Sequence, residues 1–219
     1  MATLMPIHWQ TITAQMREVI QFLGNQDYMA EFYLAGGTAL ALRQGHRISV
    51  DLDFFSATNE ITESTRQRIT QTLIPFNRQI LEDVDGNLLL RLTDLRVGFF
   101  GYGYPLLAST DSVEGVAIAA LVDIGMMKLD ALISRGSRKD FYDLYVIAQA
   151  IPLPDLLALG RTKYPYARDF ELMAVESLVL FENADRDLQP QVLLDLPWPA
   201  VRAFFIGQAQ QLGNQWFGP

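Results

Sequence analysis

The chain contains no cysteine, and that single absence excludes both a disulfide framework and a thiolate zinc site. Histidine is nearly absent as well: His8 and His46 are the two present, too few for a histidine-rich zinc site. A metal, if one is used, is expected to be a hard cation held by carboxylate oxygens. No apolar run has membrane-spanning length; the most apolar stretch, residues 116–127, is interrupted by Asp123. No basic region followed by an apolar core opens the chain, so no signal peptide is expected and the expected location is cytoplasmic. Net positive charge is lacking too. A formal charge of −8 argues against a protein that coats nucleic acid, while leaving room for one local basic patch. What the chain does have is apolar mass. Half of its 219 residues are hydrophobic, enough for a sizeable core in one large domain or two small ones.

Periodicity organises the chain into two halves. Residues 9–23 place Ile12, Met16, Val19, Ile20 and Leu23 at helical spacing, with Gly24-Asn25 as the stop. Residues 32–35 read as a short strand. Gly36-Gly37 follows, and then a helix over 38–43 with Thr38 at its N-terminus. Residues 50–55 alternate strictly, which puts Asp51 and Asp53 on one face of a strand and Leu52 and Phe54 on the other. A helix is expected over 61–73, closed by Pro75. A hairpin over 78–93 turns at Asp85-Gly86-Asn87, and a strand over 95–100 runs into the loop 101–105. Beyond this the pattern is helical: 119–135, 138–150, and two or three further helices separated by Leu-Pro linkers at 151–154 and 196–199. The expected architecture is α+β, a mixed sheet flanked by helices over residues 1–112, followed by a helical half over 113–219.

The most chemically loaded feature is Asp51-Leu52-Asp53. Two carboxylates two apart on a strand point the same way and can share one cation or bridge two, as magnesium requires alongside waters and substrate phosphates. An Asp-x-Asp alone is more often solvent decoration on an edge strand. Its company changes that reading. Fourteen residues before Asp51, Gly37 lies in Gly36-Gly37-Thr38 between a strand and a helix, where glycine lets backbone amides approach a phosphate and the helix N-terminus favours negative charge. A tight turn needing glycine is the plain alternative there. Arg43, Arg47 and Ser49 lie between the two features, the arginines either complementing phosphate charge or forming a solvated face. Lys128 lies in an apolar helix among Met126, Met127, Leu129, Leu132 and Ile133, a costly place unless its ammonium reaches solvent or an anion. Asp140 and Asp143 share a face of the following helix; a local pair such as Lys139 with Asp143 is the plain alternative.

These segments together resemble the AbiEii/AbiGii nucleotidyltransferase family. The similarity lies in Leu34-Ala35-Gly36-Gly37-Thr38-Ala39-Leu40, in the ten residues from His46 to Phe55, in Lys128-Leu129-Asp130-Ala131-Leu132, and in the run from Arg135 to Leu144. The resemblance implies a polymerase-beta-type nucleotidyltransferase fold and a nucleoside triphosphate bound with Mg2+. It also implies toxin members of toxin–antitoxin or phage-defence systems, some acting on RNA such as tRNA, with a cognate antitoxin as partner. By matched position it implies Gly36, Gly37 and Thr38, with Arg47 and Ser49, on phosphate, and Asp51 and Asp53 on magnesium. Lys128 would lie on the triphosphate, and Asp140 would act on the acceptor hydroxyl.

One departure stands out against that pattern. The fold usually carries a third carboxylate on a neighbouring strand, here expected within 95–100, and the position expected to be acidic is Gly98. Asp94 lies just before this strand. In such enzymes the third carboxylate helps hold the metal that activates the incoming hydroxyl. Three functions follow, in order of preference. The first is a magnesium-dependent nucleotidyltransferase acting on an RNA, protein or small-molecule acceptor. The second is a degenerate, non-catalytic member that binds a nucleotide or a partner. The third is an interaction protein whose motifs are relics.

Overall fold

The computed structural model describes residues 2–58 and 60–217, the last two of these by backbone alone. The chain divides into two compact units, Met1–Ala120 and Leu121–Pro219. The first unit reaches eight residues past 112, because a hairpin over 111–118 belongs to its sheet.

The first unit is built on seven strands: β1 Tyr33–Leu34, β2 Asp51–Ser56, β3 Arg78–Val84, β4 Asn87–Leu92, β5 Leu95–Gly101, β6 Asp111–Val113 and β7 Val116–Ile118. They form one mixed sheet in the order β3-β4-β5-β2-β1-β7-β6. Helix α1 covers Ala14–Leu23, shorter at its start than the periodicity predicts because a 3-10 turn takes Trp9–Thr11. Helix α2 covers Gly36–Gln44 and α3 covers Glu63–Thr72. The β6–β7 hairpin has no clear signal in the sequence. Its strands are short, and the second merges into the apolar run of the next helix.

Alternation along β2 and β5 separates the faces of the sheet. Leu52 and Phe54 of β2 and Val97 and Phe99 of β5 are buried, with Phe54 and Phe99 stacked at 5.0 Å between ring centroids. Each such ring contributes about 2–3 kcal/mol by leaving water. The opposite face takes the other half of each strand. Parallel pairing of β2 with β5 sets Asp51 beside Arg96, Asp53 beside Gly98 and Phe55 beside Phe100. The antiparallel partner β4 continues these rows with Arg91, Leu89 and Asn87.

The second unit is helical. Its elements are α4 Leu121–Ser134, α5 Arg138–Ala148, α6 Leu153–Leu157, α7 Gly160–Lys163, α8 Phe170–Ser177, α9 Glu182–Arg186 and α10 Trp198–Phe217. Its centre is Phe141, which packs against Phe181, Trp198 and Phe205 at 5.1, 5.7 and 5.3 Å between centroids. Gly125 lets helices close up: a Cβ there would stand 3.0 Å from Leu156 and 3.2 Å from Ile147. A second buried device is the pair Lys163 Nζ to Asp123 Oδ1 at 2.7 Å, both side chains fully buried. Asp123, the residue that interrupts the apolar run, is therefore the counter-ion of a core lysine.

Candidate functional site

In the first unit, the candidate residues of the phosphate and metal segments come together. Helix α2 starts at Gly36, not at Thr38 as its sequence suggests, and Ala35 is its N-cap. Gly36 has φ +64°, a left-handed conformation that glycine adopts without steric cost. The turn places Ala35 N–H on the carbonyl of Asp53 at 3.2 Å. A Cβ on Gly36 would lie 3.7 Å from Asp53 Oδ2. The opening of α2, whose first amides lack intrahelical acceptors, therefore lies beside the second carboxylate of β2.

The segment between α2 and β2 folds back on this opening. Thr38 and Ser49 hydroxyls bond each other at 2.8 Å, and the Thr38 hydroxyl also donates to the carbonyl of Asp51. Arg47 donates from Nη1 to the carbonyl of Ile48 at 3.0 Å, and its guanidinium fills the space that a side chain on Gly37 would need. Thr38, Arg47 and Ser49 are all buried. Their side chains tie the glycine turn to the start of β2; Gly36 supplies the left-handed backbone and Gly37 the close approach of Arg47. Arg43 points elsewhere and holds the β6–β7 hairpin, through Ala119 O at 2.8 Å and Asp111 at 2.9 Å.

Asp51 and Asp53 are half-buried on one face of β2, as the alternation requires. The register puts Gly98 directly beside Asp53. A Cβ on Gly98 would be 3.3 Å from Asp53 Oδ1 and would run into the ring of Phe100. The space where the resemblance leads one to expect a third carboxylate is thus taken by an aromatic ring. Among the described residues no group of three His, Asp or Glu side chains could hold a metal. The donor set fits magnesium held by two carboxylates, with substrate phosphate oxygens and water completing the shell.

In the second unit, Lys128 of α4 and Asp140 of α5 meet at 2.8 Å. Lys128 Nζ also reaches Asp143 Oδ2 at 2.6 Å, so the buried ammonium finds two anions. Asp143 therefore pairs with Lys128 across the two helices rather than locally with Lys139. Arg135 grips Asp140 with Nε at 2.8 Å and Nη2 at 2.9 Å, and the Ser137 hydroxyl donates to the same carboxylate at 2.5 Å. Asp140 is fully buried, while Arg135 keeps more than half of its side chain exposed. Burial alone would raise the Asp140 carboxyl. The Lys128 ammonium and the Arg135 guanidinium outweigh it and hold the group well below the usual carboxylate range. A depressed native pKa stabilises the fold above the unfolded pKa of about 4, and that contribution is lost as pH falls below it. The thermal midpoint should therefore hold steady above about pH 5 and drop below about pH 4. Asp140→Asn should show a smaller acid drop than wild type in the same pH series of melts.

The sequence assigns no role to two features of these sites. Ser137 lies within the run from Arg135 to Leu144 but is given no part by the resemblance. The aromatic ring over Gly98 does carry a signal: Gly98, Phe100, Tyr102 and Tyr104 alternate along one strand and its extension.

Comparison with known proteins bears on the family and the fold. The family model for the nucleotidyl transferase AbiEii toxin of type IV toxin–antitoxin systems matches residues 21–105, the segment that contains α2 and β2 to β5. An uncharacterized protein of Aquifex aeolicus (strain VF5), aq_aa25, is 35% identical over 196 residues, covering 87% of this chain and 92% of that one. Among solved structures, MenT4, a nucleotidyltransferase toxin of Mycobacterium tuberculosis H37Rv, superposes with a TM-score of 0.58 at 15% identity, covering 90% of this chain and 82% of its own. JHP933 of Helicobacter pylori superposes with a TM-score of 0.53 at 19% identity over 93% and 94% of the two chains. At such identities these two likenesses speak for a shared fold.

Proposed function

Because the chain belongs to the AbiEii nucleotidyltransferase toxin family, we propose that it transfers a nucleotide from a nucleoside triphosphate to a hydroxyl of an RNA, protein or small-molecule acceptor. The observation that carries this reading is the glycine turn of α2 against the Asp51/Asp53 face of β2. The backbone amides of Gly36, Gly37 and Thr38 would receive the phosphates. Arg47 and Ser49 would hold that turn in place from behind. Asp51 and Asp53 would hold magnesium, which supplies charge neutralisation for the triphosphate. In the transfer, the acceptor hydroxyl gives its proton to water and its oxygen forms a bond to the α-phosphorus, the bond from that phosphorus to the bridging oxygen breaks, and pyrophosphate leaves.

We assign the second-unit cluster a different part from the one its motif implies. A carboxylate gripped by Lys128, Arg135 and Ser137, and held far below the usual range, does not accept a proton at neutral pH. Asp140 is therefore a positioning residue for the two cations, not the group that acts on the acceptor hydroxyl. Lys128 lies buried within the cluster, and Arg135 keeps more than half of its side chain exposed. A cognate antitoxin and a cytoplasmic location belong to the same reading; among the described residues no single helix is long and apolar enough to cross a membrane.

The test is incorporation of label from each of the four α-labelled nucleoside triphosphates into RNA, protein and small-molecule fractions. Magnesium-dependent label in one fraction identifies the acceptor. Absence of label from every fraction, with triphosphate binding intact, would favour a second reading: a degenerate, non-catalytic nucleotide binder. The observation behind that alternative is Gly98 standing beside Asp53, where the fold usually carries a carboxylate.

A further inference from the structure

We infer that Phe100, flanked by Phe55 and Tyr102, is a stacking platform for the base of the donor nucleotide; this rests on the nucleotidyl-transfer reading above. The ring of Phe100 does not point away along its strand. It folds back over Gly98 until it occupies the space a side chain there would fill, beside Asp53 Oδ1. Only glycine at 98 allows this. The same glycine that leaves the metal face without a third carboxylate therefore admits an aromatic surface to it.

That ring begins a continuous aromatic strip. Phe55 and Phe100 are neighbours across β2 and β5 with centroids 5.3 Å apart. Tyr102 meets Phe55 edge-on at 5.6 Å, and Tyr104 meets Tyr102 edge-on at 5.1 Å. Phe55, Phe100, Tyr102 and Tyr104 are all half-buried, so each keeps surface for a ligand. On the opposite face Phe54 and Phe99 supply the core, so this strip is a second aromatic layer on the other side of the same strands.

The position of the strip selects the ligand. Two residues along a strand span about 7 Å and one strand across spans about 5 Å. The strip thus starts at the Asp53 carboxylate with the Phe100 ring and extends away from it by about one nucleoside's length. In the row of Asp51, Arg96 stands beside that carboxylate, and Arg91 stands opposite Arg96. Both arginines are exposed. Like charges directly opposite each other on a sheet disfavour pairing, which fits a surface kept for an anion. The α2 turn stands beside Asp53 Oδ2 and the Phe100 ring beside Asp53 Oδ1, so turn, carboxylate and aromatic face match a nucleotide's order of phosphate, metal and base. Stacking on such faces tolerates any base, so this platform would contribute affinity more than choice among bases.

The test compares magnesium-bound nucleoside triphosphate with magnesium-bound inorganic tripolyphosphate, which has the phosphates and no base. Binding is measured on wild type, Phe100→Leu and Phe100→Tyr, each checked for an unchanged thermal melt. Wild type is expected to bind the nucleotide about tenfold tighter than tripolyphosphate. Phe100→Leu should erase that margin while leaving tripolyphosphate unchanged, and Phe100→Tyr should keep it. If Phe100→Leu does not fold, Tyr102→Leu takes its place with the same expectation. Equal binding of both ligands by wild type, or an equal loss of both in the leucine variant, overturns the platform and leaves the transfer reading standing. Failure of wild type to bind either ligand overturns both.

Discussion

Replacing Asp53 with Asn should reduce nucleotide transfer by a factor on the order of 10^3 or more while leaving the fold intact. The side chain is half-buried on the sheet face that does not form the core, and asparagine keeps its volume, so the thermal midpoint should move little. The activity loss is expected to be large because the donor set is small. With Gly98 beside it, Asp53 has no third carboxylate among the described residues to share the work. Removing its charge leaves Asp51 alone against a triphosphate, and one carboxylate with water is a poor magnesium site. The labelled-nucleotide assay measures this directly. A variant that keeps more than about a tenth of wild-type transfer would remove Asp53 from the metal site, since metal removal costs several kcal/mol of transition-state stabilisation.

Lys128→Ala is the second large effect, and it acts on stability. The lysine ammonium lies between Asp140 and Asp143, both fully buried, at 2.8 and 2.6 Å. Removing one partner of a buried pair strands the opposite charge and costs about 3–5 kcal/mol. For a chain of this size that lowers the thermal midpoint by about 10 °C. Lys128→Ala combined with Asp143→Asn should recover part of the loss, because one of the stranded charges is gone. A Lys128→Ala midpoint within about 2 °C of wild type would show that the cluster is solvated enough to make the pair dispensable.

Some of these features can be read from the sequence, and the others are hidden there for identifiable physical reasons. Strict alternation over 50–55 predicts β2 and the shared face of Asp51 and Asp53, because a strand with one buried face writes its period into the sequence. The β3–β4 hairpin is equally clear from Asp85-Gly86-Asn87, with Gly86 at φ +79°. The resemblance marks Gly98 as the position where the fold usually carries a carboxylate, and the parallel register with β2 puts it beside Asp53. The start of α2 lies two residues before the position its sequence suggests, since Thr38 looks like a capping residue. Its hydroxyl is instead engaged by Ser49 and the backbone of Asp51, contacts that depend on a segment folding back from eleven residues away. Lys163 with Asp123 is invisible for the same reason. The two lie forty residues apart, and no local rule connects them. Lys128 sits between these cases. Its apolar neighbours show that it must find an anion, while Asp140 and Asp143 become its partners only through the packing of α4 on α5.

If the α2 turn and the Asp51/Asp53 face form one magnesium–nucleotide site, nucleotide affinity must depend on both the metal and the second carboxylate. Calorimetric titration of each nucleoside triphosphate, with and without magnesium, into wild type and Asp53→Asn measures that dependence. Magnesium-dependent binding of at least one triphosphate to wild type is expected, and its loss in a variant whose melt is unchanged. Binding that persists equally in Asp53→Asn, or no binding of any triphosphate to wild type, would show that the turn and the two carboxylates do not form such a site.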